Sequence, residues 1–403
     1  MKPSSSRSEQ GSGGPTSGLF DGVLARGAVR EIAGDLAFLQ AMLDFEAALA
    51  SASAAAGRVD ADAARAIGEA GRVDRFDIGR LGIRAADTGN PVVPMLDALR
   101  ELVGPEAAGA VHAGATSQDV IDTAAMLVAG RAIDAIVGDL RGAADAAARL
   151  AERHRASLMP GRTLLQRATP VTFGLTAAGW CTGLDEATAR LEVVRRHRLA
   201  VQLGGGTGTL AALWPDGPAI AAEVAHRLGL AEPVLPWHTD RTRVGELAGA
   251  LAGACGAAAK PAQDVVLLAQ TEIAEVREGT PGRGGSSAIP GKSNPVAAVS
   301  TLACARRAPG LVAELLGAGV HELERAAGAW HAEWLPLREL LVATGSAASW
   351  IADCLGSLVV DDERMLANLR GDDPPDLADE ANVVAACEAL VQRALDAHGE
   401  PRP

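Results

Sequence analysis

The sequence predicts an all-α protein built around a bundle of long helices, on three observations. Apolar residues recur at three- and four-residue steps over segments two or three times the usual helix length of about 11–12 residues. The alternation expected of strands is weak. Alanine dominates while aromatic residues make up 3% and tyrosine is absent, a composition suited to closely packed helices joined by short connections.

Each element follows from its own stretch. The segment 28–56 places Ile32, Leu36, Leu39, Leu43 and Ala47 on one helical stripe. A second helix is expected over 117–157, with Thr116 or Ser117 as N-cap. A third covers 171–200, and Pro170 suits its start. Two more cover 241–275 and 294–316, and shorter helices follow Trp330. Breaks in this pattern divide the 403 residues into four stretches. Residues 1–17 are polar, rich in Ser and Gly, and read as a disordered tail. Residues 18–110 form a mixed helical head with a loop at "DTGNPVVP", 111–342 the long-helix body, and 343–403 a short C-terminal helical domain.

Composition excludes several classes of function. The net charge of −13 with no compensating basic stripe argues against a nucleic-acid partner, though a local Arg/Lys cluster can still hold an anionic small molecule. No apolar run approaches the roughly 20 residues of a membrane span, and residues 1–17 lack the apolar centre of a signal peptide, so a cytoplasmic protein is expected. Five widely spaced cysteines show no CxxC or Cys/His metal spacing and read as buried thiols.

Four polar islands interrupt the apolar segments. In "HAGATSQDVIDT" (112–123), Thr116, Ser117 and Gln118 supply more donors than a helix cap needs, so the island is a cap or a carboxylate seat. In "MPGRTLLQRATPVTFG" (159–174), Pro160 and Gly161 mark a turn, and Arg162, Thr163, Gln166 and Arg167 are more polar than a connector requires. Arg162 has the planar fork that grips a carboxylate at two points. In "PWHTDRTRVGEL" (236–247), His238 is an acid–base candidate or a partly buried cap, and Arg241 and Arg243 serve an anion or the surface. The fourth, "GRGGSSAIPGKSNPV" (282–296), concentrates Gly, Ser, Lys292 and Asn294 ahead of a helix start. Its glycines permit a mobile lid, and its backbone N–H groups with Lys292 can stabilise developing negative charge.

These islands resemble the conserved blocks of the fumarase/aspartase superfamily. "GSSAIPGKSNP" is similar to its signature loop GSSxMPxKxNP, with Ile289 in the place of Met, and "GATSQD" and "GRTLLQRATPVTFG" resemble its other two blocks in the same order. The likeness runs from about residue 19 to 369. "LFDGVLARGAVREI", "TGNPVVPML", "AVQLGGGTGTLAAL", "PWHTDRTRVGEL" and "ERAAGAWHAEW" resemble its bacterial 3-carboxy-cis,cis-muconate cycloisomerase branch. The superfamily's adenylosuccinate lyases usually carry His in the GRTHxQ block and in the head-domain loop. Here Leu164 and Asn90 stand in those places.

The resemblance implies a three-domain all-α subunit, a homotetramer with a multi-helix core, and active sites built from blocks of three subunits. It implies an aci-carboxylate intermediate, with Ser286 as base and Ser287 as the alternative, and Lys292 and Asn294 holding the charge. His238 is a possible acid or substrate ligand. Asn90, Thr116, Ser117, Gln118, Arg162, Thr163, Gln166 and Arg241 complete the set that would seat a tricarboxylate. The expected reaction is cyclisation to 4-carboxymuconolactone, on the protocatechuate (beta-ketoadipate) branch of aromatic catabolism, with no metal or organic cofactor. Its reverse expels a carboxylate of pKa roughly 4, which needs no strong general acid, so Leu164 is tolerable where ammonia or water elimination would need a proton donor. The alternatives are another lyase of the superfamily, either adenylosuccinate lyase-like or a specialised-pathway lyase expelling nitrite or an amine, and a non-catalytic scaffold. Family members commonly continue beyond the length seen here, which bears on rate and specificity.

Overall fold

The computed structural model describes residues 18–371 and 380–400; the tail expected over 1–17 lies outside them. The first long helix, α1 (Asp35–Ala55), is shorter than the 28–56 stripe. Gly34, extended at ψ 165°, separates it from a single turn at Val29–Ile32. Helix α2 (Ser117–Arg153) starts at Thr116, which is extended in the manner of an N-cap. Its many alanines are buried against its neighbours, which lets helix axes approach closely.

The chain then departs from the all-helical expectation. Leu158–Thr163 (β1) and Gln166–Thr172 (β2) pair antiparallel, so Pro160, Gly161 and Pro170 lie in strands rather than at a turn and a helix start. A register shift between Pro160 and Arg162 marks a bulge, where a Cβ on Gly161 would meet the Thr169 carbonyl at 2.3 Å. Helices α3 (Phe173–His197) and α4 (Thr242–Leu268) follow. A short strand, β3 (Val276–Glu278), pairs with β4 (Leu358–Val360). The helix expected over 294–316 is broken into α5 (Val296–Ala305) and α6 (Ala308–Gly317), and Pro309 starts the second piece. Helix α7 (Trp334–Gly356) runs unbroken through residues 342 and 343, and α8 (Glu380–Gly399) packs near the end of the chain.

Helices α2, α3, α4, α5 with α6, and α7 form one bundle around a continuous core. Helices α2 and α7 run in the same direction. Arg241 joins Asp122 to Glu333 at one level, and Gly27 lies against both Asp139 and Ser349 further along. Among the described residues, no helix is long and apolar enough to cross a membrane. All five cysteines are buried and none forms a disulfide.

Candidate active site

His238 and the start of α2 form one cluster. The turn before α4 is pinned by Trp237, whose backbone N–H donates to Gln202 Oε1 at 2.8 Å and whose indole N–H donates to the Val201 carbonyl at 2.9 Å. That brings His238 Nε2 to 2.7 Å from Asp119 Oδ1, with side chains 4% and 0% exposed. The Asp119 carboxylate also accepts the backbone N–H groups of Thr116, Gly204 and Gly205 at 2.9–3.0 Å. A negative charge at a helix N-terminus with three N–H donors is well held. Gln118 is buried, donates to the His238 carbonyl and to Asp122, and accepts from Arg325. Thr116 and Ser117 stay half-buried beside it.

Arg241 lies deeper. It is 6% exposed and donates to both Asp122 oxygens and to both Glu333 oxygens, with its guanidinium 4.9 Å from the Trp237 ring. Burial would raise the Asp122 carboxyl. Arg241's charge and hydrogen bonds, with those from Trp330 and Gln118, outweigh burial and hold it below the usual carboxylate range. Burial would lower Arg241 in turn, but Asp122 and Glu333 raise it above its ordinary value. In this chain Arg241 therefore ties three elements together.

The other two islands lie elsewhere. Arg162 grips the fully buried Glu275 at 2.6 and 3.0 Å, and Asn368 also donates to that carboxylate. Thr163 and Gln166 are exposed on the same hairpin, whose tip carries Leu164, 96% exposed, and Leu165, at φ 53° and 62°. In the glycine-rich loop, Gly284's carbonyl accepts both the backbone and the side-chain N–H of Asn294, at 2.8 and 3.0 Å. A Cβ at Gly284, where φ is 85°, would meet the Asn294 carbonyl at 2.3 Å, so glycine is required there. Ser286 Oγ accepts from the N–H groups of Ala288 and Ile289. Ser287 and Lys292 are exposed and Ser286 is half-buried.

The loop's two ends are fixed to the bundle. Arg283 pairs with both oxygens of Asp353 at 2.7 Å, and Glu278 accepts the first free N–H groups of α5, from Ala297 and Ala298. Hydrogen bonds from Arg283 and Arg26 outweigh burial and bring the Asp353 carboxyl down to about 2. Asn90 serves a turn in the head, with its Oδ1 accepting the Val92 N–H.

The structure thus brings Thr116, Ser117, Gln118 and His238 together, with Arg241 beneath them. It does not bring them to the loop. Asp353, which anchors the loop, is twenty residues along α7 from Glu333, about 30 Å at the helical rise of 1.5 Å per residue. Glu275 and Glu278, which hold Arg162 and α5, lie on one short stretch at that far end. Sequence reasoning assigned no functional role to Asp119, which read only as favouring the helix N-terminus, and none at all to Asp122, Arg325 or Glu333. Asp119 and Asp122 lie inside the island quoted for its hydroxyls, and Arg325 and Glu333 inside "ERAAGAWHAEW".

Comparison with known proteins agrees with this architecture. A family model described as Lyase matches residues 24–310. A 3-carboxy-cis,cis-muconate cycloisomerase of Bradyrhizobium diazoefficiens is 47% identical over 355 residues, 87% of this chain and 79% of that protein. A nitrosuccinate lyase of Streptomyces davaonensis is 44% identical over 365 residues, 88% of this chain and 77% of that protein. The crystal structure of the 3-carboxy-cis,cis-muconate lactonizing enzyme from Pseudomonas putida superposes with a TM-score of 0.85 at 35% identity, covering 94% of this chain and 98% of that one. With a matching model over most of its length, relatives of this identity and a shared helical bundle, the chain belongs to the lyase family of the fumarase/aspartase superfamily.

Proposed function

We propose that the protein catalyses the cyclisation of 3-carboxy-cis,cis-muconate to 4-carboxymuconolactone, as a cytoplasmic homotetramer whose active sites combine islands from different subunits. The observation that carries the reading is the separation of those islands. Each is finished and anchored, yet Glu333, which anchors the His238/Arg241 end, and Asp353, which anchors the Ser286/Lys292 loop, lie about 30 Å apart along α7. Neighbouring subunits packed on the bundle would place one subunit's loop over another's His238 cluster. The cycloisomerases among the relatives support the choice of reaction.

In the cyclising direction a substrate carboxylate oxygen adds to the conjugated alkene. The C–O bond forms as the displaced electron pair moves onto the neighbouring carboxylate, giving the aci-carboxylate dianion. Lys292, Asn294 and the loop N–H groups stabilise that charge. Ser286 then delivers its proton to the α-carbon, and in the reverse direction its alkoxide removes it. Thr116, Ser117, Gln118, Thr163 and Gln166 offer donors to the remaining carboxylates. The leaving group of the reverse reaction is a carboxylate, so Leu164 at the hairpin tip deprives the reaction of nothing.

The test is the ultraviolet absorbance of 3-carboxy-cis,cis-muconate with purified protein, beside Ser286→Ala. Loss of the diene band with the unaltered protein alone is expected. A nitrosuccinate lyase at 44% identity favours a second reading, elimination of nitrite. Nitrite release from nitrosuccinate, with the muconate unchanged by a tetrameric preparation, would replace the first reading by that one.

A further inference from the structure

We infer that the protein carries a mononuclear zinc-type metal site between α3 and α8, remote from the candidate active site. Cys181 and Asp185 stand four residues apart on α3, which puts both side chains on one helical face. His398, in the last turn of α8, closes the group. One ligand atom from each lies within 4.8 Å of the others. Asp185 Oδ2 is 2.8 Å from His398 Nδ1 and 3.7 Å from Cys181 Sγ. A tetrahedral zinc ion, with Zn–S of about 2.3 Å and Zn–N and Zn–O of about 2.0–2.2 Å, spaces its ligand atoms roughly 3.4–3.6 Å apart. The Asp185–Cys181 separation is already near that spacing, and the Asp185–His398 pair reaches it by opening roughly 0.6 Å.

The second observation is on the other side of the imidazole. His398 Nε2 lies 3.1 Å from Asp145 Oδ1, on α2. A histidine that ligates a metal through one nitrogen characteristically donates its other N–H to a carboxylate, which fixes the tautomer and raises ligand basicity. Asp145 is placed to do this, while Nδ1, now 2.8 Å from Asp185 Oδ2, gives up to solvent the proton it shares with that carboxylate when the metal binds. On binding, the Cys181 thiol loses its proton to solvent, and the thiolate and the Asp185 carboxylate balance the divalent charge. Asp185 and His398 are 14% and 20% exposed, so a water completes the fourth position. One thiolate, one imidazole and one carboxylate suit Zn²⁺ or Co²⁺ better than the oxygen-seeking Mg²⁺ or Ca²⁺. The pair Cys181 and His398 is separated by 217 residues, so no local spacing in the sequence announces it. Such an ion would fasten the end of α8 to the bundle.

The test is titration of the metal-free full-length protein with Co²⁺, followed by its thiolate-to-cobalt charge-transfer band and then by displacement with Zn²⁺. One equivalent per subunit is expected, with a tetrahedral visible spectrum. Cys181→Ser should abolish the charge-transfer band, and His398→Gln and Asp185→Asn should abolish stoichiometric binding. Asp145→Asn should weaken affinity about 10- to 100-fold. His398→Gln and Asp185→Asn alter partly exposed side chains, and circular dichroism of each metal-free variant establishes that it is folded. Absence of stoichiometric binding by the unaltered protein, or binding unchanged in folded His398→Gln and Asp185→Asn, overturns the assignment.

Discussion

His238 Nε2 lies 2.7 Å from Asp119 Oδ1, and the same carboxylate receives the N–H groups of Gly204 and Gly205. One aspartate therefore orients the imidazole, starts α2 and holds the glycine-rich turn. Gly204 is the close neighbour in this arrangement. A Cβ there would meet His238 Cε1 and Pro236 Cβ at 2.8 Å each.

We therefore expect Gly204→Ala to displace the imidazole while leaving the bundle folded. The stability cost should be about 1–3 kcal/mol, as for other overpacked sites. A misplacement near 1 Å at a reacting group costs about 10²-fold, so kcat/KM should fall by about that factor. Steady-state kinetics beside a thermal melt would separate the two effects. A variant as unstable as it is slow would show that the turn matters only to folding.

Arg241 supplies a stability prediction. Removing it leaves Asp122 and Glu333 buried and uncompensated, which costs about 3–5 kcal/mol in comparable pairs. Arg241→Met should show that loss in urea unfolding at neutral pH. The sign with pH follows from Asp122. Its folded value is depressed, so its contribution is complete above the unfolded carboxylate value near pH 4 and is lost as pH falls through the lower folded value. The difference between Arg241→Met and the unaltered protein should therefore shrink as pH falls through that acid window, where Asp122 loses its charge in both.

Much of this was legible in the sequence, and the limits have physical causes. The 3.6-residue stripes gave the long helices because burial of one face dominates their stability. They did not show the hairpin at 158–172, whose two-residue turn is made by leucines where Asn-Gly would have announced it. The break between α5 and α6 was written in Arg306, Arg307 and Pro309, between the apolar runs of the two helices. Hydroxyls, His238 and Arg241 drew attention as chemistry. The buried carboxylates that orient them did not, because Asp119 at a helix start also reads as a cap. Whether Arg241 faces a ligand or a buried acid depends on Glu333, ninety-two residues away, and spacing alone cannot reveal that.

Lys292 is exposed, so Lys292→Ala should leave the melting temperature unchanged while lowering kcat about 10²–10³-fold through loss of charge stabilisation. Subunit sharing gives the sharper measurement. Lys292→Ala and His238→Asn are each expected to lose most of their activity alone. Mixed by unfolding and reassembly, they should recover about a quarter of full activity, because a site that draws the two residues from different subunits is intact in that share of random combinations. No recovery from mixed tetramers would place both residues of a site in one chain.

Leu164 tests the leaving-group argument. It sits at the tip of the hairpin, 96% exposed, with φ 53°, a conformation that costs an ordinary residue roughly 1–2 kcal/mol. Leu164→His places an imidazole where relatives that expel amines use one. If the reverse reaction expels a carboxylate, a proton donor there has nothing to do, and the rate of cyclisation should stay within about threefold of the unaltered enzyme. The pair Leu164→Asn and Leu165→Gly gives the turn residues suited to positive φ and should raise stability by about 1 kcal/mol in urea unfolding. A tenfold or greater acceleration in Leu164→His, with the stabilised turn as control, would mean that proton transfer to the leaving oxygen limits the reaction. The tolerance of leucine would then need another cause.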